Sequence, residues 1–255
     1  MSTSTRSIFC RHCGAKGTHK HGKDARRRMR YKCLHCHKTF TGRTNTIRSG
    51  SQLTDTQWNG ATRKFCTRAG QSAEDMAREM RLNRKTAQKL NRIFRILVKE
   101  LEPQWLPGSS EWDEAIMSKQ WLLGGVSREL KQCLIRPISN RTEDTLVPLV
   151  LRHSDAGGCV FTDEWSGYID IPNHWTVCHS KEFVNRQAPF VHTNRQEGIW
   201  GHMKPLSKHI YRGFPKKSIP QFLSEFMFRY NIREYETRVS ILTALLSRKT
   251  HTLLV

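Results

Sequence analysis

The stretch His192-Thr-Asn-Arg-Gln-Glu-Gly-Ile-Trp-Gly-His-Met-Lys204 combines apolar residues at helical spacing with one carboxylate and one lysine. It predicts a helix that Ile199, Trp200 and Met203 anchor to a hydrophobic core. Glu197 and Lys204 lie seven residues apart on this helix. Because seven residues make nearly two helical turns, the carboxylate and the ammonium group share one face.

Two aspartates upstream of this helix lie in strand-like runs. Asp113 is within the run Glu111 to Met117, and Asp163 follows the apolar run Cys159 to Thr162. Two aspartates on strands and a glutamate on a later helix are an arrangement that can hold two divalent cations. Alternation alone does not assign the faces of the first strand, so Glu111 and Glu114 remain alternative ligands. Asp163 has a second interpretation as the cap of a helix beginning at Trp165.

The charge of the chain indicates a polyanionic partner. The 255 residues include 43 Lys and Arg against 22 Asp and Glu, which gives a net charge of +21. Basic side chains on phosphates release condensed counterions, so nucleic acid is the expected partner. No apolar run is long enough to span a bilayer, and no secretory signal opens the chain. We therefore expect a cytoplasmic, nucleoid-associated protein with no membrane partner.

Residues 1–45 are predicted to form a zinc ribbon. The pairs Cys10-x-x-Cys13 and Cys33-x-x-Cys36 are separated by 19 residues, which is a spacing typical of four-cysteine zinc sites. So short a segment, with almost no aliphatic core, needs a metal in order to fold. We expect one structural Zn²⁺; the alternative is a redox pair or four ordinary thiols. Between the pairs, Arg26, Arg27 and Arg28 are candidate phosphate contacts, and a solvated loop is the alternative.

Residues 50–105 are predicted to form a helix-turn-helix DNA-binding domain. Ser72 and Asp75 have the spacing of a capping box, and Arg81 to Arg84 makes a turn before a second helix. The second helix of such a motif can enter the major groove of DNA. Any two packed helices give a similar pattern. The candidate DNA contacts at the start of the second helix are Arg84, Lys85, Thr86, Gln88 and Lys89.

Residues 108–235 are predicted to form a mixed α/β domain, after a boundary marked by Pro103 and Pro107-Gly108. Three apolar runs separated by brief turns predict an antiparallel meander. A helix, a strand, a further helix and a short strand follow. Two longer helices end the domain, and residues 236–255 form a tail without a predicted structure. The predicted ranges are 111–117, 120–126 and 132–137 for the meander, 141–153 for the first helix, a strand ending at 163, a strand at 175–178, a loop at 183–191, and helices at 194–209 and 219–235.

Several short blocks of this domain together resemble one known family. The chain is similar to DDE transposases of bacterial insertion sequences, in the branch related to the Merlin transposons. The blocks appear in order over roughly residues 110–230. They are Trp-Asp-Glu at 112–114, Trp-Leu-Leu-Gly-Gly-Val at 121–126, Asn-Arg-Thr-Glu-Asp-Thr-Leu at 140–146, Thr-Asp-Glu-Trp-Ser-Gly-Tyr at 162–168, His-Ser-Lys-Glu-Phe-Val at 179–184, and His-Thr-Asn at 192–194 with Glu197, Trp200 and Lys204.

The resemblance implies an RNase H-like mixed sheet flanked by helices, with the zinc ribbon and the helix-turn-helix module in front. It implies two catalytic aspartates, Asp113 and Asp163, with Glu197 as the third carboxylate and Lys204 near the DNA end. Two Mg²⁺ ions, or Mn²⁺, would bind these carboxylates. Some relatives have asparagine in the third role, so Asn194 competes with Glu197; we prefer the carboxylate because it binds hard cations more strongly than an amide.

The expected function is therefore transposition. The protein would bind the terminal inverted repeats of an insertion sequence, cleave DNA and join the freed 3′-hydroxyl to target DNA. Such a reaction implies a homo-oligomer when DNA is bound, and no small-molecule substrate. On the sequence alone, two alternatives remain. One is a non-catalytic zinc-ribbon and helix-turn-helix regulator, and the other is an RNase H-like nuclease that cleaves without joining.

Overall fold

The computed structural model describes residues 8–177, 188 and 190–249, which separate into two units. One unit comprises residues 1–56 with 241–255, and the other comprises residues 57–240. Cys178, at the end of the last predicted strand, and the block 179–184 lie outside the described residues, as does most of the loop predicted at 183–191. The domain boundaries 1–45, 50–105, 108–235 and 236–255 remain predictions.

The first unit contains a small antiparallel sheet of three strands in the order β1-β2-β3. The strands are β1 (Thr18–Lys23), β2 (Met29–Cys33) and β3 (Thr39–Thr41). The hydrophobic cluster at this sheet consists of Cys10, Cys33 and Phe40, with Tyr31 stacked on Phe40 at 5.7 Å between ring centroids. So small a core is typical of a module that needs an additional cross-link.

Three helices precede the larger sheet: α1 (Asp55–Phe65), α2 (Ala73–Met80) and α3 (Arg84–Lys99). Ser72 caps α2 as predicted, because its hydroxyl accepts a hydrogen bond from the backbone N–H of Asp75 at 3.1 Å. Asn83 caps α3 in the same way, accepting from the backbone N–H of Lys85 at 2.8 Å. The two helices predicted on either side of the turn at Arg81 to Arg84 are therefore present.

The second unit is built on a mixed sheet of five strands in the order β6-β5-β4-β7-β8. The strands are β4 (Ser110–Met117), β5 (Gln120–Ser127), β6 (Cys133–Ile138), β7 (Val160–Asp163) and β8 (His174–Val177), and α4 (Glu143–His153) joins β6 to β7. The first three strands pair antiparallel and form the predicted meander. β4 pairs parallel with β7, and β7 pairs parallel with β8. The five-stranded mixed sheet flanked by helices agrees with the predicted fold class, whereas its strand order was not predicted.

The segment between β7 and β8 differs from the predicted helix. It contains only a 3-10 turn at Ser166–Tyr168. Gly167 is confined there, since an added Cβ would lie 2.8 Å from Trp165 Nε1 and 2.9 Å from the carbonyl oxygen of Arg141. Pro172 disfavours helical backbone at Ile171, so a helix beginning near Trp165 could not continue toward β8.

Three helices complete the described chain: α5 (Asn194–Pro205), α6 (Ile219–Asn231) and α7 (Tyr235–Leu246). A π-helical turn at Leu206–Ile210 extends α5 to the predicted end of that helix. The helix α7 lies in the segment for which the sequence predicts no structure. Within the part of the chain that the structure describes, none of the helices has both the length and the apolarity needed to cross a membrane.

Each face of the large sheet carries its own hydrophobic core. On one face, Trp200, Met203, Phe222 and Phe226 of α5 and α6 pack on Ala115 of β4. On the other face, Trp112 packs with residues of α4 and the 3-10 turn, including Leu146, Val150 and Tyr168. The sheet is therefore a middle layer, and alternate residues of β4 point toward different helices.

A buried ionic network fixes α3 to α6. The fully buried carboxylate of Glu225 accepts hydrogen bonds from Arg95 Nε and from the hydroxyl of Tyr211, each at 2.5 Å, and pairs with Arg229. Arg229 also donates from Nε to the carbonyl oxygen of Phe65 at 2.9 Å. Burial alone would raise the pKa of Glu225, but Arg229 and Arg95 hold that pKa below its usual value. Breaking one partner of such a network leaves a buried charge unpaired.

Candidate functional site

Asp113 and Asp163 meet where the neighbouring strands β4 and β7 separate. The ladder between these strands pairs Ser110 with Val160 and Glu111 with Phe161. Continuing that register places Asp113 beside Asp163, and equal offsets in a parallel pair put both side chains on the same face. Asp163 is the last residue of β7, and its Oδ1 also accepts a hydrogen bond from the backbone N–H of Trp165 at 3.1 Å. That bond orients the carboxylate. Asp163 can therefore accept from the backbone at Trp165, as a cap would, and still face Asp113.

Three carboxylates converge at this point: Asp113, Glu114 and Asp163 each offer an oxygen within 4.8 Å of the others. All three side chains are half-buried. Oxygen ligands around one divalent cation, at about 2.0–2.6 Å from the ion, can have this mutual spacing. Oε1 of Glu114 is buried and has no hydrogen-bond partner among residues 8–177, 188 and 190–249. The donor set therefore fits a hard divalent cation.

The electrostatics of this cluster are unfavourable without a cation. Burial raises the pKa of Asp113 to about 6, and the negative charges of Asp163 and Glu197 add to the increase against two hydrogen bonds that oppose it. Burial raises the pKa of Glu114 to about 7, with Asp163 and Asp113 as further causes. A bound cation would relieve both the repulsion and the loss of hydration.

Trp200 on α5 orients Asp113. The indole Nε1 donates a hydrogen bond to Asp113 Oδ2 at 2.9 Å, while Oδ1 accepts from the backbone N–H of Glu114 at 2.7 Å. Gly124 on β5 pairs with Asp113 across the ladder. A Cβ on Gly124 would lie 2.6 Å from the Trp200 ring and would overlap Nε2 of Gln196. The missing side chain therefore allows α5 to lie against the sheet beside the carboxylates.

Glu111 holds the first turn of α5 on β4. Its Oε2 accepts from the backbone N–H groups of Arg195 and Gln196 at 2.8 and 3.3 Å, and its Oε1 accepts from Arg128 Nε at 2.9 Å. The carboxylate is fully buried. Arg128 also donates to the carbonyl oxygen of His192 at 2.6 Å. Glu111 therefore acts as a helix cap from a neighbouring strand. It is not among the converging carboxylates, so Glu114 is the better supported alternative ligand.

The remaining predicted site residues lie on α5. Glu197 is half-buried and its charge contributes to the raised pKa of Asp113, but it is not one of the three carboxylates within 4.8 Å. Asn194 is the exposed first residue of the helix, and Lys204 is exposed two turns after Glu197. The roles of Glu197, Asn194 and Lys204 remain predictions.

Sequence reasoning missed the roles of Glu111 and Trp200. A signal for each was present, since Glu111 lies on the same strand face as Asp113 and Trp200 lies one turn after Glu197. The sequence does not show which groups these two side chains bind, because α5 contacts β4 only through tertiary packing.

The four predicted cysteine ligands also come together, within the first unit. Cys10, Cys13, Cys33 and Cys36 offer sulfur atoms within 4.8 Å of one another. The Sγ atoms of Cys10 and Cys36 are 3.6 Å apart, and those of Cys13 and Cys33 are 3.7 Å apart. A tetrahedral zinc ion with Zn–S bonds of about 2.3 Å requires sulfur atoms about 3.8 Å apart. The cluster therefore fits such an ion.

Backbone N–H groups favour the thiolate form of Cys10 in this cluster. The N–H of His12 donates to Cys10 Sγ and the N–H of His35 donates to Cys33 Sγ, each at 3.3 Å. Burial alone would raise the pKa of Cys10, but hydrogen bonds from the backbone of Cys13 and His12 outweigh it and lower the pKa to about 6. Thiolates are the form that binds metal.

The predicted DNA contacts are at the surface. Arg26 and Arg27 are exposed at the turn between β1 and β2, whereas Arg28 is half-buried and pairs with Asp24 at 2.7 Å. In the second unit, the start of α3 exposes Arg84, Lys85, Gln88 and Lys89, and Thr86 is half-buried. Their contact with DNA remains a prediction.

A mixed sheet that gathers acidic side chains at the ends of two neighbouring parallel strands defines the class of RNase H-like domains. Residues 111–231 match the family described as the ISXO2-like transposase domain. The chain is also 26% identical over 114 residues to an "Uncharacterized transposase-like protein" of Haemophilus influenzae, in an alignment that covers 42% of this chain and 88% of that protein. The resemblance to insertion-sequence transposases is thereby confirmed, and a nucleic-acid-processing enzyme is the class that it indicates.

Proposed function

We propose that the protein is a DDE transposase that binds the terminal repeats of an insertion sequence and catalyses metal-dependent DNA cleavage and strand transfer. The convergence of Asp113, Glu114 and Asp163 beside α5 is the observation that carries this proposal. The matched transposase domain contains all three residues and the whole of α5.

In the proposed site, Asp113 and Asp163 would hold divalent cations, either two Mg²⁺ or Mn²⁺, with Glu197 completing the set from α5. Bound cations would supply activation of the attacking oxygen and stabilisation of the leaving oxygen. Trp200 would keep Asp113 in its orientation, and Glu111 would keep the first turn of α5 in place. Lys204, on the same helical face as Glu197, would neutralise a phosphate of the DNA end. Asn194 is the alternative to Glu197.

Two further parts of the proposal concern DNA binding and zinc. The exposed start of α3 would enter the major groove of the terminal repeat, with Arg84, Lys85, Thr86, Gln88 and Lys89 as contacts. The ribbon would hold one structural Zn²⁺ on its four cysteines, and Arg26, Arg27 and Arg28 would contact phosphates. Joining two element ends to target DNA implies a homo-oligomer in the DNA complex.

The test is incubation of the full chain with a labelled element end and Mg²⁺ or Mn²⁺. We expect nicking at the end and, with target DNA present, joined products. Asp163→Asn should abolish both while retaining end binding, because the remaining carboxylates cannot complete the cation site. Asp144→Asn, an exposed acidic residue on α4, is the matched control and should leave both reactions unchanged.

Each competing function has its own signature in this assay. Cleavage without joined products would favour a nuclease. End binding without any metal-dependent nicking would favour a DNA-binding regulator and would overturn the enzymatic proposal.

A further inference from the structure

Two adjoining cavities lie on the side of α5 that bears Arg195, Gly198 and His202. Their volumes are about 380 and 500 Å³. Arg68, His202 and Tyr230 line both of them. The residues Arg195, Gly198 and His202 are spaced by three and four, so they form one face of the helix, and it differs from the face of Glu197 and Lys204. These cavities are therefore separate from the carboxylate cluster.

The cavities are strongly cationic. Arg68, Lys131, Arg195 and Arg233 line them and are exposed. Within the described part of the chain, no carboxylate lines either cavity. Arg229 and Arg238 also line the first cavity, but both are buried and donate hydrogen bonds elsewhere. Guanidinium groups around a concave surface attract phosphate.

An aromatic floor accompanies these charges. The rings of Phe226 and Tyr230 stack with centroids 5.9 Å apart and an interplanar angle of 23°, and His202 packs edge-on against Phe226 at 5.7 Å. Phe226 is buried, whereas Tyr230 is half-buried and reaches both cavities. Burial and then the charge of Arg68 lower the pKa of His202, so its neutral ring is available for stacking at neutral pH. Bases that are not paired stack on such surfaces.

We propose that these cavities bind an unpaired nucleotide of a DNA strand, with its phosphates against Arg68, Arg195 and Arg233 and its base on Tyr230. A paired base is unable to stack in this way, so the aromatic surface favours an unpaired nucleotide. The assignment of this strand to the DNA of an insertion sequence rests on the proposed function. The binding itself depends only on the charges and rings described above.

The experiment measures binding of a labelled single-stranded oligothymidine to the full chain in EDTA, at several salt concentrations. In the variant Arg68→Ala/Arg233→Ala, affinity should fall on the order of tenfold at about 0.1 M salt. The slope of log K against log salt should fall by about 1.4, because each lost phosphate contact removes about 0.7. Lys99→Ala/Arg152→Ala, which removes two exposed charges from α3 and α4, is the matched control and should change both quantities much less.

A second variant tests the cavity without removing charge. Gly198 lines the second cavity, and a Cβ added to it would meet no atom of the described residues within 4 Å. Gly198→Phe should therefore fit on the helix while filling the space. We expect it to weaken oligothymidine binding at least fivefold and to have little effect on an abasic strand of equal length. Binding as in the wild type by both variants would overturn the proposal. Equal losses for the thymidine and abasic strands in Gly198→Phe would overturn the base-stacking part.

Failure here is distinguishable from failure of the proposed function. Oligothymidine binding in EDTA needs no cation, whereas nicking of an element end does. A chain that nicks DNA but shows no effect of these variants would retain the proposed function and lose this inference. A chain that nicks nothing but shows the expected losses of oligothymidine affinity would retain this inference and lose the proposed function.

Discussion

The indole of Trp200 donates its hydrogen bond to Asp113 from a helix that lies far along the chain from the strand of the carboxylate. The bond joins α5 to β4 at the point where the three acidic side chains converge. Residues of the sheet and of α5 therefore both position the acidic cluster. Substitutions on each element test these roles separately.

Trp200→Phe removes the N–H donor and keeps an aromatic ring in the core. Because the hydrogen bond lowers the pKa of Asp113, its loss should raise that pKa and strengthen proton competition with a cation. We expect Mn²⁺ affinity, measured by calorimetry, to fall several-fold at pH 6 and much less at pH 8. Trp121→Phe, at a half-buried ring on β5, is the control. Equal losses at both pH values would contradict the explanation.

Gly124→Ala introduces a Cβ where Trp200 and Gln196 already lie. We expect a loss of about 1–3 kcal/mol in the free energy of unfolding, measured with urea, because the helix must shift away from the sheet. Gly201→Ala is a matched control on α5. Its Cβ meets no atom of the described residues within 4 Å, and alanine favours helix, so it should be neutral or slightly stabilising. A harmless Gly124→Ala would show that close packing here is unimportant.

Glu111→Gln leaves Arg128 without its buried carboxylate partner. Removing one member of a buried ion pair costs about 3–5 kcal/mol. Besides this loss in urea unfolding, we expect faster hydrogen exchange of the backbone amides of Arg195 and Gln196, which donate to Glu111. Glu129→Gln alters an exposed acidic residue near Arg128 and should change neither quantity. Unchanged exchange at both amides would argue against the capping role.

Glu114→Gln should reveal the repulsion within the carboxylate cluster. The pKa of Glu114 is raised to about 7 in the folded protein, above its ordinary value of 4.5. Its stabilising contribution is therefore complete below about pH 4.5 and is lost as the pH rises through about 7. In metal-free protein we expect the variant to be more stable than wild type by about 1–3 kcal/mol at pH 8 and nearly equal at pH 4. Thermal unfolding across this range measures it; a difference independent of pH would contradict it.

Cys33→Ser tests the cysteine cluster. We expect purified wild-type protein to contain about one zinc per chain and the variant to contain far less, because a hydroxyl replaces one thiolate ligand. Elemental analysis measures the content. Cys159→Ser, outside the cluster, should retain the zinc. Full zinc content in Cys33→Ser would refute the assignment.

Local patterns predicted most elements of the fold. Brief turns between the runs at 111–137 required β4, β5 and β6 to pair in sequence, as they do. The contact between Asp113 and Asp163 needed a pairing of β4 with β7 across α4, and alternation within one strand contains no information on that register. Glu114 points to the opposite face of β4 from Asp113, so neither alternation nor that register predicts its place in the cluster.

The sequence interpretation differs from the structure in two segments. The chain between β7 and β8 contains Gly167 and Pro172, which disfavour helix, and it forms only a 3-10 turn at Ser166–Tyr168. In contrast, α7 has little amphipathic pattern of its own, and its buried residues include Leu242, Leu245 and Leu246. For α7, packing against other segments matters more than local pattern.

The ionic network of Arg95, Glu225 and Arg229 bears on the distance along DNA between a bound sequence and a cleaved bond. It ties α3 to α6 within one unit, and α6 packs with α5 on the sheet that bears the acidic cluster. If α3 reads an element end, as we propose, these packed helices would set the number of base pairs between the recognised sequence and the broken bond. Inserting half a helical turn of DNA into that interval would rotate the scissile phosphate out of reach rather than move the cut.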